Sequence, residues 1–190
     1  MRLTAGILAA LALLAACGET HLARPREMLD EATGNTVSVV SKPLVFARQR
    51  NDVAAYARDY ATLVAAEIDQ SGTYHDYLLL YRWSTVDRRM SPPPELAAGA
   101  LRIMAEGRVF NLTPLEFMPT GLEHRRELYI PPHGDIVAHA YAVNADMLRY
   151  IADSTALTVQ MPQEPLSEPF TLWLDGRGAL REFAKSAGVQ

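Results

Sequence analysis

The longest regular pattern in the chain runs from Thr73 to Thr85, where His75, Tyr77, Leu79, Tyr81 and Trp83 fall on one side and Asp76, Leu78, Leu80, Arg82 and Ser84 on the other. Both sides are apolar in the middle, which predicts a central strand covered on both faces rather than one with a wet side. The stretch Tyr60 to Asp69 precedes it, and Gln70-Ser71-Gly72 between the two reads as a hairpin turn. Upstream, Thr36 to Val40 alternates and is β-branched, Lys42-Pro43 interrupts it, and Leu44-Val45-Phe46 resumes. Proline cannot donate a ladder bond, so this broken strand is expected at a sheet edge.

Downstream, Leu101 to Ala105 and Arg108 to Leu112 flank Glu106-Gly107 as a second hairpin. Short strands follow at Glu127 to Ile130, stopped by Pro131-Pro132, and at Ile136 to Val143. The period then changes. Asn144 can cap a helix that turns Met147, Leu148 and Ile151 inward. Strands Leu157 to Met161 and Phe170 to Leu174 precede a last helix, where Leu180, Phe183, Ala184 and Ala187 form one apolar stripe. The expected fold is mainly β, an antiparallel β-sandwich or partly closed barrel with two short helices near the C-terminus.

The opening of the chain follows a different rule. After Met1-Arg2, residues Leu3 to Ala16 are apolar apart from Thr4 and Gly6, and the run ends in Leu14-Ala15-Ala16-Cys17. It is too short to span a hydrocarbon core, which takes about 20 helical residues, and it fits the roughly 7 to 15 apolar residues of a secretory signal. An aliphatic residue, two small residues and a cysteine at its end resemble the lipobox of a bacterial lipoprotein precursor. That resemblance implies diacylation of the Cys17 thiol, cleavage before it and acylation of the new amino terminus. It covers the first 18 or so residues only. Residues 1–16 are then a signal peptide, 17–33 a lipidated cysteine and tether, and 34–190 a single β-rich periplasmic domain. With Gly18 rather than Asp after the cysteine, the family's sorting pattern implies the periplasmic face of the outer membrane.

Charge and cysteine usage narrow the body further. The net charge is −4, falling to −5 once Arg2 leaves with the signal, and this mild acidity argues against general nucleic-acid binding. Cys17 is the only cysteine, so a lipidated Cys17 leaves no thiol for a disulfide, a metal or a nucleophile. Stability has to come from packing.

The chain contains no Gly-x-Ser-x-Gly elbow, no His-Glu-x-x-His helix, no phosphate-cradling glycine loop and no calcium loop, so neither an enzyme nor a cofactor is indicated. His133, Asp135 and His139 bring two imidazoles and a carboxylate within seven residues, a weak metal candidate, since turn chemistry accounts for Gly134 and Asp135 and a half-buried strand position for His139 without a metal. Arg48 and Arg50, Arg88-Arg89 and Arg125-Arg126 are basic spots suited to an anionic group, each beside an expected turn. Tyr77, Tyr81 and Trp83 form an aromatic stripe that can floor a ligand groove or fill the core. The whole is similar to many proteobacterial lipoproteins. The expectation is a membrane-anchored, non-enzymatic interaction or structural module, held by its acyl chains and meeting an envelope protein or glycan. The alternative is a carrier enclosing an apolar ligand, such as an acyl chain, in a curled sheet.

Overall fold

Ser71 and Gly72 both take positive φ, 55° and 87°, which is the backbone twist a two-residue hairpin loop needs. The Asp69 carboxylate accepts from the Gly72 N–H at 2.7 Å and fixes the loop. Around this turn the computed structural model builds its longest hairpin, β4 (Arg58–Gln70) and β5 (Thr73–Ser84), paired along its whole length from Gln70↔Thr73 to Asp59↔Ser84. The structure describes residues 24–86, 99–123, 128–129, 137–161 and 168–187. The lipobox and Cys17 lie outside these residues, as do Arg88-Arg89, Arg125-Arg126, His133 and Asp135.

The remaining described strands are β1 (Arg26–Leu29), β2 (Thr36–Val39), β3 (Leu44–Gln49), β6 (Leu101–Ala105), β7 (Arg108–Leu112), β8 (Val137–Ala142), β9 (Leu157–Gln160) and β10 (Phe170–Leu174). All ten belong to one antiparallel sheet that does not close. The mainly β class and the two C-terminal helices match the expectation from the sequence, and the layers are those of one open sheet. The sheet branches at β4. One side of β4 carries β5 and then β8. The other side is shared end to end, with β2 against Ala66 to Asp69 and β3 against Arg58 to Leu63. From β2 the sheet continues to β1, and from β3 through β10, β9 and β6 to β7.

This sharing corrects the expected edge placement of the broken strand. Lys42-Pro43 falls in the gap between β2 and β3, where no ladder bond to β4 is needed, so the proline is tolerated inside the sheet. β2 lies between β1 and β4, and β3 between β4 and β10. Residues 26–29, expected in the tether, form β1 and pair with β2 in the register Arg26↔Val39 to Leu29↔Thr36. Polar composition hides such a strand because its partners, not its own apolar content, hold it.

Ten consecutive residues of β4, Asp59 to Ile68, are buried, so both of its faces are covered. Helix α1 (Ala145–Asp153) and helix α2 (Arg177–Ser186) supply Leu148, Ile151, Leu180 and Phe183 to the same core as Leu63, Leu78 and Leu80. Asn144 caps α1 by accepting from the Met147 N–H at 2.9 Å. Gly176 opens α2 against the Lys42 and Pro43 carbonyls, where an added Cβ would collide. The second hairpin, β6 and β7, turns through Glu106 and Gly107, and the Glu106 carboxylate accepts from Thr155 N–H and Oγ, both at 2.5 Å, tying its tip to the segment after α1. Leu122 and Leu128, from the stretch after β7, complete the core, and Arg26 donates to the Leu128 carbonyl at 3.0 Å.

Candidate functional site

Alternation along β4 sorts its side chains into two sets, and each set ends in a different chemistry. Tyr60 and Thr62 share a face with their β5 partners Trp83 and Tyr81. The Tyr60 and Trp83 rings stack at 3.9 Å and 6°, the cross-strand arrangement that direct opposition favours. Trp83 Nε1 donates to Thr62 Oγ1 at 3.2 Å, and Thr62 Oγ1 donates to the Tyr129 hydroxyl at 3.4 Å. Tyr129 packs on Tyr81 at 5.5 Å. At the outer end, Trp173 of β10 meets Tyr60 edge-on at 6.4 Å, and the Arg58 guanidinium lies 4.9 Å over the Trp173 ring. The result is a continuous aromatic run from core to surface.

Of the expected stripe, Tyr81 and Trp83 join this run, while Tyr77 stands further along β5 between Ala66 and Ala142. Tyr81 is buried, and that burial pushes its phenol up to about 12. Burial raises the Tyr77 phenol too. Tyr60, Arg58 and Trp173 were not legible as members, although counting back from the Ser71-Gly72 loop places Tyr60 opposite Trp83. Trp173 arrives from more than a hundred residues further along the chain, and no local signal brings it there.

The opposite set carries charge. Asp59 is buried and accepts from Arg48 Nη2 at 3.1 Å, Arg50 Nη1 at 3.2 Å and Ser84 Oγ at 2.7 Å. Arg50 also forms a two-pronged pair with Asp52, at 2.9 and 2.8 Å, and these carboxylates raise the already high pKa of its guanidinium. The basic spot expected at Arg48 and Arg50 is thus part of an ion network. Eight residues along the same face, Glu67 stands directly across from Asp76. Glu67 Oε2 and Asp76 Oδ1 are shut off from solvent and meet no hydrogen-bond partner among the described residues. Burial first, then the charges of Asp76, Asp69 and Glu27, pushes the Glu67 carboxyl up to about 7. Burial also raises Asp76, against the opposing pull of Arg149.

A carboxyl kept protonated near neutrality beside a carboxylate is a pairing that acid–base catalysis uses. Here one oxygen of each carboxyl is shut off from solvent, and the pair is read as a titrating element of the fold. His139 is half-buried on β8, with Nε2 unpartnered among the described residues and its ring tight against Gly99. Burial, with a smaller contribution from the Arg82 charge, lowers its pKa and favours the neutral imidazole. Tyr141, two residues on, donates to the Gly99 carbonyl. Among the described residues no three His, Cys, Asp or Glu side chains converge on a point that can hold a metal ion, and His139 stands apart from any such group. Nor is any helix among them long and apolar enough to cross a membrane. Comparison with protein-family models, with curated proteins and with solved structures returns no match.

Proposed function

We propose that the chain is a membrane-anchored lipoprotein of the bacterial envelope whose body serves as a non-enzymatic interaction or structural module. The observation that carries this reading is Leu14-Ala15-Ala16-Cys17 at the end of an apolar run that is too short to span, with the chain's only cysteine at the acceptor position. Two or three acyl chains, each contributing about 0.8 kcal/mol per buried methylene, hold a protein to a bilayer far more firmly than one. The packing supports a module over a carrier. An enclosed acyl chain needs a cavity between sheet and cover, whereas Val64, Leu79 and Tyr81 on one face of the hairpin and Leu63, Leu78 and Leu80 on the other are all buried in the packed core.

The test is the intact mass of the mature protein beside that of Cys17→Ser. The parent should begin at Cys17 and carry acyl chains; the variant should remain an unprocessed precursor. Masses that differ only by the replaced sulfur, with equal detergent partitioning, would sink the reading. Gly18→Asp should then move the lipidated protein toward the inner-membrane fraction of a density gradient, and a parent that already bands there places the anchor in the inner membrane.

A further inference from the structure

We propose that the end of the sheet bearing Trp173, Arg58 and Tyr56 is a membrane-contacting surface, resting in the headgroup layer of the bilayer that holds the acyl chains. The proposal deepens the lipoprotein reading and rests on it. Trp173 is 58% exposed, large for an indole whose ring is already held by Arg58 and Tyr60, and Tyr56, in the turn that leads to Arg58, is 86% exposed. Indole and phenol rings suit the boundary between acyl chains and water, where one part of the ring is apolar and the other finds hydrogen bonds. An arginine over the indole adds a cation at the depth of lipid phosphates.

The anchor's reach and the strand register bring the bilayer to this end. β1 and β10 each stand two strands out from the same side of β4. Arg26 aligns through Val39 with Ala66, and Leu172 through Phe46 with Ala61. These levels are about 17 Å apart along β4. Leu29 aligns through Thr36 with Asp69, so β1 begins at its end nearer to β10 and the chain enters from the Trp173 side. Cys17 is seven residues before Arg24, a span of at most about 25 Å. The acyl chains therefore attach within reach of Trp173. Charge favours the same orientation. At this end of β3 and β4, Arg48, Arg50 and Arg58 stand with Asp52 and Asp59, one more cation than carboxylate, and Arg58 is the cation on the Trp173 face, whereas Glu27, Glu67, Asp69 and Asp76 gather toward the other end, away from an anionic surface.

The chain's two tryptophans, Trp83 and Trp173, make the proposal measurable. The full precursor, processed in a bacterial host, is reconstituted into vesicles of phosphatidylcholine with a minority of phosphatidylglycerol, with and without brominated acyl chains. The emission of Trp173 is the difference between the parent and Trp173→Phe. Bromolipid should remove most of that difference, aqueous iodide should reach it less in vesicles than in detergent-free buffer after release of the body by protease, and Arg58→Glu should weaken the bromolipid effect. Trp173 emission that stays open to iodide and untouched by bromolipid would overturn the docking. So would emission shielded from both quenchers, which would assign the surface to a protein or glycan partner. Intact mass separates the two failures: acyl chains present without bromolipid quenching overturn only the docking, and acyl chains absent overturn the anchoring on which it rests.

Discussion

Asp59 and Glu67 sit on the same strand, on the same face, at 8% and 7% exposure, and differ in what stands opposite. Asp59 has two guanidinium groups and a serine hydroxyl. Glu67 has Asp76 directly across the ladder, Asp69 and Glu27 nearby, and an oxygen with no hydrogen-bond partner among the described residues. Burial alone therefore does not set what a carboxylate does. A buried carboxylate with cations acts as a fixed part of the scaffold, and one facing another carboxylate becomes a group whose proton the fold must hold.

The largest effect should come from removing the well-partnered group. Asp59→Ala takes away the acceptor that Arg48, Arg50 and Ser84 share, and a buried charge network broken on one side costs about 3 to 5 kcal/mol by denaturant titration. A loss below about 1 kcal/mol would mean that Asp59 and Glu67 are energetically alike despite their partners.

Glu67→Gln tests the other side, and its sign depends on pH. The folded state holds the Glu67 proton up to about 7 against an ordinary 4.5, so its contribution is fully present below about pH 4.5 and is lost as pH rises through 7. The amide cannot ionise. The variant should match the parent near pH 4.5 and exceed it by about 3 kcal/mol at pH 8. A parent-to-variant difference that stays flat across that window would show that Glu67 ionises freely.

Asp76→Asn sharpens the comparison by removing only the opposing charge. Burial remains the leading cause of the Glu67 shift, so the midpoint of the pH-dependent stability change should move toward acid without reaching the ordinary carboxylate range. An unmoved midpoint would show that Asp76 adds nothing and leave the shift to desolvation with Asp69 and Glu27. Asp52→Ala should do least, since that carboxylate is solvent-exposed and Arg50 keeps its contact with Asp59. A shifted denaturation midpoint would make the Arg50 fork part of the Asp59 network.

Much of the local structure was legible because it rests on local rules. Gln70-Ser71-Gly72 and Glu106-Gly107 announce turns whose positive φ values glycine accommodates, and alternation fixed which β5 residues share a face. The Asn144 cap and the stripe Leu180, Phe183 and Ala184 announced helices that the structure contains. β1 was illegible, since Arg26-Glu27-Met28-Leu29 has no apolar period and depends on β2 for its ladder. The candidate site was legible only in part, as Tyr81 and Trp83 on one strand; Trp173 and Tyr129 join them through contacts that composition does not record.

By itself the sequence determined the spacing of turns, the sidedness of each strand and helix, and the apolar opening that ends in Cys17. These are properties of neighbouring residues, and their physical causes act over a few residues. Only the tertiary structure decided that β2 and β3 share one side of β4, that the sheet stays open, and that Asp59 meets two arginines while Glu67 meets an aspartate. Partners brought together from distant positions are chosen by the packing of the whole core, and a carboxylate's charge state follows from those partners and its burial rather than from its place in the chain.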